Sequence, residues 1–276
     1  MGSTVSGVRS CAKLVKAYVI AFLVLGMVFM FLSMFVSPAP PEELVPANAE
    51  AVNVSTRALS AWVSTYITGT STYEASTLAL SVAVFTFILY TAFSKLARSV
   101  GDRGLRAVSR ALLASYIAST ALLAGAAAYV YASSQVTESV VAQAIEPFGP
   151  GTLNASAVGD AVDAALRRAY EGGPLTPYQL MMCLGELLRY LSLSAIYVVL
   201  GRALSPRFSR AIAALLVTYS FYTLVKYLTP VVSVSAAGSL APLGMLSLFI
   251  LVATLILQWV NANDIEVTCA KRLGSR

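Results

Sequence analysis

The stretch Val15–Val36, VKAYVIAFLVLGMVFMFLSMFV, carries no charge after Lys16. As a helix it covers about 30 Å, the thickness of a bilayer's hydrocarbon core. Backbone N–H and C=O groups find no water there, so the segment must satisfy them internally, and a helix does so. A secretory signal peptide is the competing reading, because Ala47-Asn48-Ala49 resembles a cleavage site. The apolar run exceeds the usual h-region of about 7–15 residues, however, and that site lies well past its end. The segment therefore reads as an uncleaved span.

Working outward, further apolar runs lie near 75–95, 111–132, 178–200, 211–229 and 240–260. The expected fold is all-α: a polytopic membrane helix bundle of about six spans forming a single membrane domain over residues 1–276. Composition agrees. Of 276 residues, 58% are hydrophobic and 12% charged, and mean hydropathy is +0.75. A soluble chain carries about 25% charged residues, so most of this surface does not face water.

The cationic residues give the spans a direction. Arg9, Lys13 and Lys16 precede the first span, and Lys95, Arg98, Arg103, Arg106 and Arg110 lie between the second and third. Arg202, Arg207 and Arg210 separate the fourth and fifth, and Lys271, Arg272 and Arg276 close the chain. Alternating sides places 14 of the 19 basic residues on one side, while nine of the 13 acidic residues fall on the other. The positive-inside rule puts the basic side, with both termini, in the cytoplasm of a multi-pass cell-membrane protein. The net charge of +6 then reflects topology and contact with anionic headgroups rather than a nucleic-acid footprint. Tyr66, Tyr73, Tyr129, Tyr131, Tyr170, Tyr178, Tyr222 and Tyr227 fall near the predicted outer boundaries, where an amphipathic ring keeps its hydroxyl wet.

Two external segments, 37–74 and 133–177, are far longer than the cytoplasmic turns, and loops of such length usually carry function or structure of their own. Val52, Leu59, Val63, Tyr66 and Ile67 recur at helical spacing in the first, predicting an amphipathic helix lying at the outer interface. In the second, Val158, Ala161, Val162, Ala165, Leu166 and Ala169 form one face, with Asp160, Asp163, Arg167 and Arg168 opposite, and Gly172-Gly173-Pro174 stops the helix. These helices either cap the bundle or line a vestibule and dock a partner. Asn53-Val54-Ser55 and Asn154-Ala155-Ser156 make Asn53 and Asn154 candidate N-glycosylation acceptors.

Glu186, Arg189 and Lys226 form a candidate polar group within the spans. A charge at mid-membrane costs about 2.5–3.5 kcal/mol and normally faces protein or water. Glu186 and Arg189 are three apart on one helical face and can pair. Lys226 either snorkels to the outer boundary or approaches Glu186. The group is a coupling site or polar strip along a conduit, or else a neutralised pair that fixes helix packing. In the third span Ala118, Ala121, Gly125, Ala128 and Ala132 form a small-residue seam, predicting close approach of a neighbouring helix and a central or oligomer-facing position. Ser109-Arg110-Ala111 and Ser209-Arg210-Ala211 each open a span after a basic turn, an echo of the kind internal repeats leave.

The absences exclude much chemistry. There is no histidine, and Cys11, Cys183 and Cys269 are scattered without a Cys-x-x-Cys pair. Haem, zinc, redox and imidazole-based mechanisms are thus disfavoured, and no cofactor, metal site or catalytic set is expected. There is no Walker or Gly-x-Gly-x-x-Gly sequence; Gly101-Asp102-Arg103-Gly104 is a glycine-bounded basic turn. The reading is a non-catalytic membrane subunit of a translocation machine, with a small-solute or ion transporter or channel as the alternative. Transporters commonly break spans with glycine or proline at mid-depth, and here Gly185 is the one notable mid-span interruption, with Pro230 and Pro242 near span ends.

In layout, with six spans, basic cytoplasmic turns, two long external segments and no catalytic set, the chain resembles the polytopic membrane component of the crenarchaeal DNA-import (Ced) system. That component is similar to the polytopic channel component of type IV secretion. Fourteen Arg against five Lys and the external sequons suit a thermophilic archaeon. The resemblance implies DNA as transported substrate, with small two-span membrane subunits and a separate cytoplasmic ATPase as partners; a homo-oligomer is a separate expectation, in keeping with the oligomer-facing option for the third span. The resemblance carries over no site residues.

Overall fold

The structure, a computed structural model, describes residues 2–40, 54–149 and 152–274. Nine α-helices lie among them: α1 (Gly2–Val36), α2 (Thr56–Val100), α3 (Arg103–Ala132), α4 (Ser134–Ile145), α5 (Ala155–Tyr170), α6 (Thr176–Ala203), α7 (Ser209–Val232), α8 (Val234–Gly238) and α9 (Ala241–Gly274). Two short strands, β1 (Val54–Ser55) and β2 (Thr152–Leu153), pair antiparallel and join the two long connections. Six helices (α1, α2, α3, α6, α7 and α9) are long and apolar enough to cross a membrane, which implies a bilayer environment.

The six run up and down in series. α2 packs on α3, α3 on α6 and α6 on α7, while α1 lies against α2 and α9, and α9 also against α7. The α2–α3 turn is two residues long. Gly101, at φ +74°, ends α2 by donating its N–H to the Ala97 carbonyl, and the Asp102 side chain caps α3 by accepting from Leu105 N. The start of α1 and the end of α9 come to one end of the bundle, where Arg9 pairs with Glu266 at 3.0 Å. The basic turns gather at that same end. The opposite end carries a cap of α4 and α5 packed on the first turns of α2.

α2 departs from expectation. Its 45 residues extend about 67 Å, more than twice the hydrocarbon thickness. The amphipathic segment of the first external loop is therefore not a separate helix lying flat but the opening third of α2. Leu59, Val63 and Ile67 face the cap and are buried, whereas Tyr66 is exposed. Val52 and Asn53 lie outside the described residues. In α5, Ala161, Ala165 and Ala169 are buried and Arg167 and Arg168 exposed, as the spacing predicts. Past the end of α5 the chain folds back tightly enough that residue 173 must be glycine, since a Cβ there would fall 2.1 Å from the Arg168 carbonyl. Asn154 caps α5, its Oδ1 accepting from Ala157 N and Ser156 Oγ, each at 2.9 Å.

The small-residue seam of α3 faces outward in this single chain. Ala118, Ala121, Ala128 and Ala132 are exposed and Gly125 only partly covered. Within this chain α3 buries a different stripe, Leu112, Tyr116, Ser119, Leu123, Ala126 and Val130. Larger side chains won the interior because they remove more apolar area from contact with the surroundings and interlock with α2 and α6.

Candidate functional site

α1 and α2 are antiparallel, with Phe22 stacked on Phe85 at 5.5 Å and Val36 opposite Gly69. α2 and α6 run parallel at a constant offset. Glu74 meets Tyr178, Phe85 meets Arg189 and Phe93 meets Tyr197, each pair 104 residues apart. From its first half onward α1 diverges from α9. Val8, Cys11, Ala12, Val15, Tyr18 and Val19 are buried, whereas Met27, Met30, Phe31, Met34 and Phe35 are exposed.

That divergence leaves a cleft of about 500 Å³ with α1 and α7 as walls and α2 and α6 beneath. Apolar side chains, among them Phe22, Leu25, Phe29, Met30 and Leu78, dominate its lining. A polar stripe interrupts them: Thr70, Glu74, Thr77 and Ser81, one above another on α2. Two ion pairs sit on this single cleft.

At the cap end, Lys226 donates to Glu74 Oε1 at 2.6 Å. The Tyr227 and Tyr178 hydroxyls donate to the same carboxylate, each at 3.0 Å. The pair remains accessible from the cleft, with side-chain exposures of 44% for Lys226 and 37% for Glu74. Tyr73 anchors the wall by donating to the Phe29 carbonyl, so Glu74 stands level with the outer turns of α1 and inside its apolar run. Ser71 and Tyr170 touch at 3.4 Å behind it, and burial pushes the Tyr170 phenol up, keeping it neutral.

About 12 Å deeper along α6, Arg189 donates to Glu186 Oε1 at 3.1 Å. This pair is enclosed, with side-chain exposures of 2% and 6%. Its guanidinium lies 4.7 Å from the Tyr190 ring centre and 5.7 Å from those of Phe22 and Phe85. Ring faces stabilise a desolvated cation by about 0.5–2 kcal/mol each, which offsets part of the burial cost.

The structure thus brings Glu186 and Arg189 together and sets Lys226 apart from them. Its partner is Glu74, which sequence reasoning assigned to the end of an external loop. The signal was present: Thr70, Glu74, Thr77 and Ser81 recur at steps of four, three and four into an apolar run. Tyr178 and Tyr227, expected at a wet boundary, instead turn their hydroxyls onto this carboxylate.

Among the described residues no three His, Cys, Asp or Glu side chains gather as a metal set. The chain matches no protein-family model, no curated protein and no solved structure.

Proposed function

We propose that this chain is a non-catalytic integral membrane protein that carries or conducts a small charged or zwitterionic solute through the cleft between α1, α2, α6 and α7. The observation that supports the reading is an accessible ion pair, Glu74–Lys226, on the wall of an open cleft inside the bundle. A pair that serves only packing is enclosed, as Glu186–Arg189 is. Glu74–Lys226 is left accessible inside an apolar bundle, where each charge is costly unless it meets protein or water. An incoming carboxylate replaces Glu74 at Lys226, and an incoming ammonium replaces Lys226 at Glu74. The basic end faces the cytoplasm by the positive-inside rule, which leaves the cleft mouth and cap outside the cell membrane.

The test is reconstitution in liposomes with solid-supported membrane recordings over a panel of amino acids, carboxylates and inorganic ions. At least one solute is expected to give a saturable current that falls about tenfold or more in Lys226→Ala and Glu74→Gln. A panel without currents, or variants that match the parent, would overturn the reading.

The second reading, a DNA-import channel component working with two-span subunits and a cytoplasmic ATPase, is supported by layout. The cap weighs against it as the point of entry. Its described charges are Arg57, Arg167 and Arg168 against Glu138, Glu146, Asp160, Asp163 and Glu171, and a polyanion is attracted by the opposite balance. Co-purification of the native complex with an ATPase and small membrane proteins would favour this second reading.

A further inference from the structure

On a different face of α1 from Phe22, Leu25 and Phe29, which line the cleft, an open slot of about 290 Å³ runs between α1 and α9. Val19 and Leu255, each 5% exposed, form its floor. Its walls are Ile20 and Leu23 of α1 and Val252 and Ile256 of α9, all between 44% and 58% exposed. Along the helices the slot extends about 12 Å. Large branched side chains line it, so a neighbouring helix backbone is kept from close approach. Its volume is also far below that of a helix, which is about 10–12 Å across.

The antiparallel register of α1 and α9 decides what stands at the end of this slot. Arg9 pairs with Glu266 at 3.0 Å, and Lys16 lies 5.7 Å from the ring centre of Trp259. Between these contacts α1 advances seven residues and α9 retreats seven, and seven more on each reach Leu23 and Val252 in the slot. Lys13 and Lys16 therefore continue the Ile20–Leu23 stripe, at steps of three, four and three, towards the basic end of the bundle. Among the described residues neither lysine has a carboxylate partner, whereas Glu266 is taken by Arg9. Trp259, 37% exposed, closes the slot at that end, with its ring against Lys16. Apolar walls thus lead directly to a boundary tryptophan and two unpaired cations, the side chains that meet lipid headgroups.

We propose that the slot is a specific site for one anionic phospholipid of the leaflet at the basic end of the bundle. Its acyl chain lies between α1 and α9, and its phosphate meets Lys16 and Lys13, with the Trp259 indole N–H as a further donor. Charge complementarity selects this occupant. An apolar slot alone accepts any chain, but two unpaired cations at one end favour a headgroup of net negative charge over a zwitterionic one. Attraction between the basic turns and anionic lipid in general is spread over that whole end of the bundle, whereas this site holds a single lipid in one place. It is independent of the solute reading, because it shares no residue with the cleft.

Trp259 is itself the reporter. The chain has two tryptophans, and Trp62→Phe, at the cap end, leaves Trp259 alone. The full chain carrying Trp62→Phe is placed in phosphatidylcholine vesicles containing increasing fractions of chain-brominated phosphatidylglycerol or chain-brominated phosphatidylcholine, and quenching of Trp259 fluorescence is followed. The brominated phosphatidylglycerol is expected to quench at a mole fraction about five- to twentyfold lower, since each cation contributes about fivefold. Lys16→Gln is expected to remove about fivefold of that preference, and Lys16→Arg to keep it. Ile20→Phe, which fills the slot, is expected to raise the fraction needed several-fold. Arg106→Gln with Arg110→Gln, exposed on α3, which packs on α2 and α6, is expected to leave the preference unchanged. Equal quenching by the two lipids would overturn the site. So would a preference that falls as much in the α3 variant as in Lys16→Gln, which would assign it to the general surface charge. Absence of quenching by either lipid would overturn it as well, by showing that another protein surface covers the slot.

Discussion

Lys226 of α7 and Glu74 of α2, 152 residues apart in the chain, meet at 2.6 Å on the wall of the cleft. With the neighbouring Tyr227 hydroxyl, which donates to the same carboxylate at 3.0 Å, this contact ties the outer part of α7 to α2, and both ionic partners keep access to the cleft. Their interaction is screened by that access, so it holds the cleft mouth in shape more than it stabilises the fold.

Reversing the pair tests that role. Glu74→Lys and Lys226→Glu are each expected to abolish solute currents, and the double variant to restore a measurable fraction. Stability should change little, because exposed pairs contribute about 0.2–1 kcal/mol. A double variant as inactive as the single ones, with normal expression and Tm, would show that polarity at each position matters separately.

Glu186→Gln should behave differently. It leaves the Arg189 cation enclosed without its counter-charge, which costs about 3–5 kcal/mol. Thermal unfolding in detergent is expected to show a large drop in Tm, largely recovered in Glu186→Leu/Arg189→Met, where neither charge remains. Wild-type stability in Glu186→Gln would mean that the pair is not desolvated.

Water access to the cleft is open to cysteine labelling. In a background with Cys11, Cys183 and Cys269 changed to serine, Thr77→Cys on the cleft wall should react with a charged thiosulfonate reagent in intact liposomes. Phe87→Cys, at a position 76% exposed on the outer surface of the bundle, should not react, because lipid excludes the charged reagent. Equal reaction at both positions would place the bundle surface in water.

Gly185 permits α3 and α6 to touch, since a Cβ there would fall 3.0 Å from the Leu123 side chain. Gly185→Ala is expected to cost about 1–3 kcal/mol through overpacking, and Leu123→Ala in the same chain to relieve part of it. A double-mutant cycle of Tm values checks this, with additivity as the adverse result.

Asn154 is a helix cap as well as a sequon residue. Asn154→Ala should cost about 0.5–2 kcal/mol in cap stability, while Asn154→Asp, which keeps the accepting oxygen, should cost less. Hydrogen exchange at Ala157 N gives the direct readout.

The chain's covalent order determined the number of apolar helices, the gathering of basic turns at one end, and the Glu186–Arg189 pair. All three follow from local rules: length against bilayer thickness, charge against hydrophobicity, and helical spacing of three. Other features were settled by tertiary packing alone. The first external amphipathic segment continued into α2 because no proline stands between Thr56 and Val100 and its one glycine, Gly69, is tolerated within the helix, and the cap then covered its apolar face. The α3 seam turned outward because larger side chains on the opposite stripe filled the space against α2 and α6. Glu74 became the partner of Lys226 only when the register of α1, α2, α6 and α7 carried a residue near a loop boundary into the cleft. Spacing along one helix cannot encode that distance, since it depends on how four helices slide against one another as they pack.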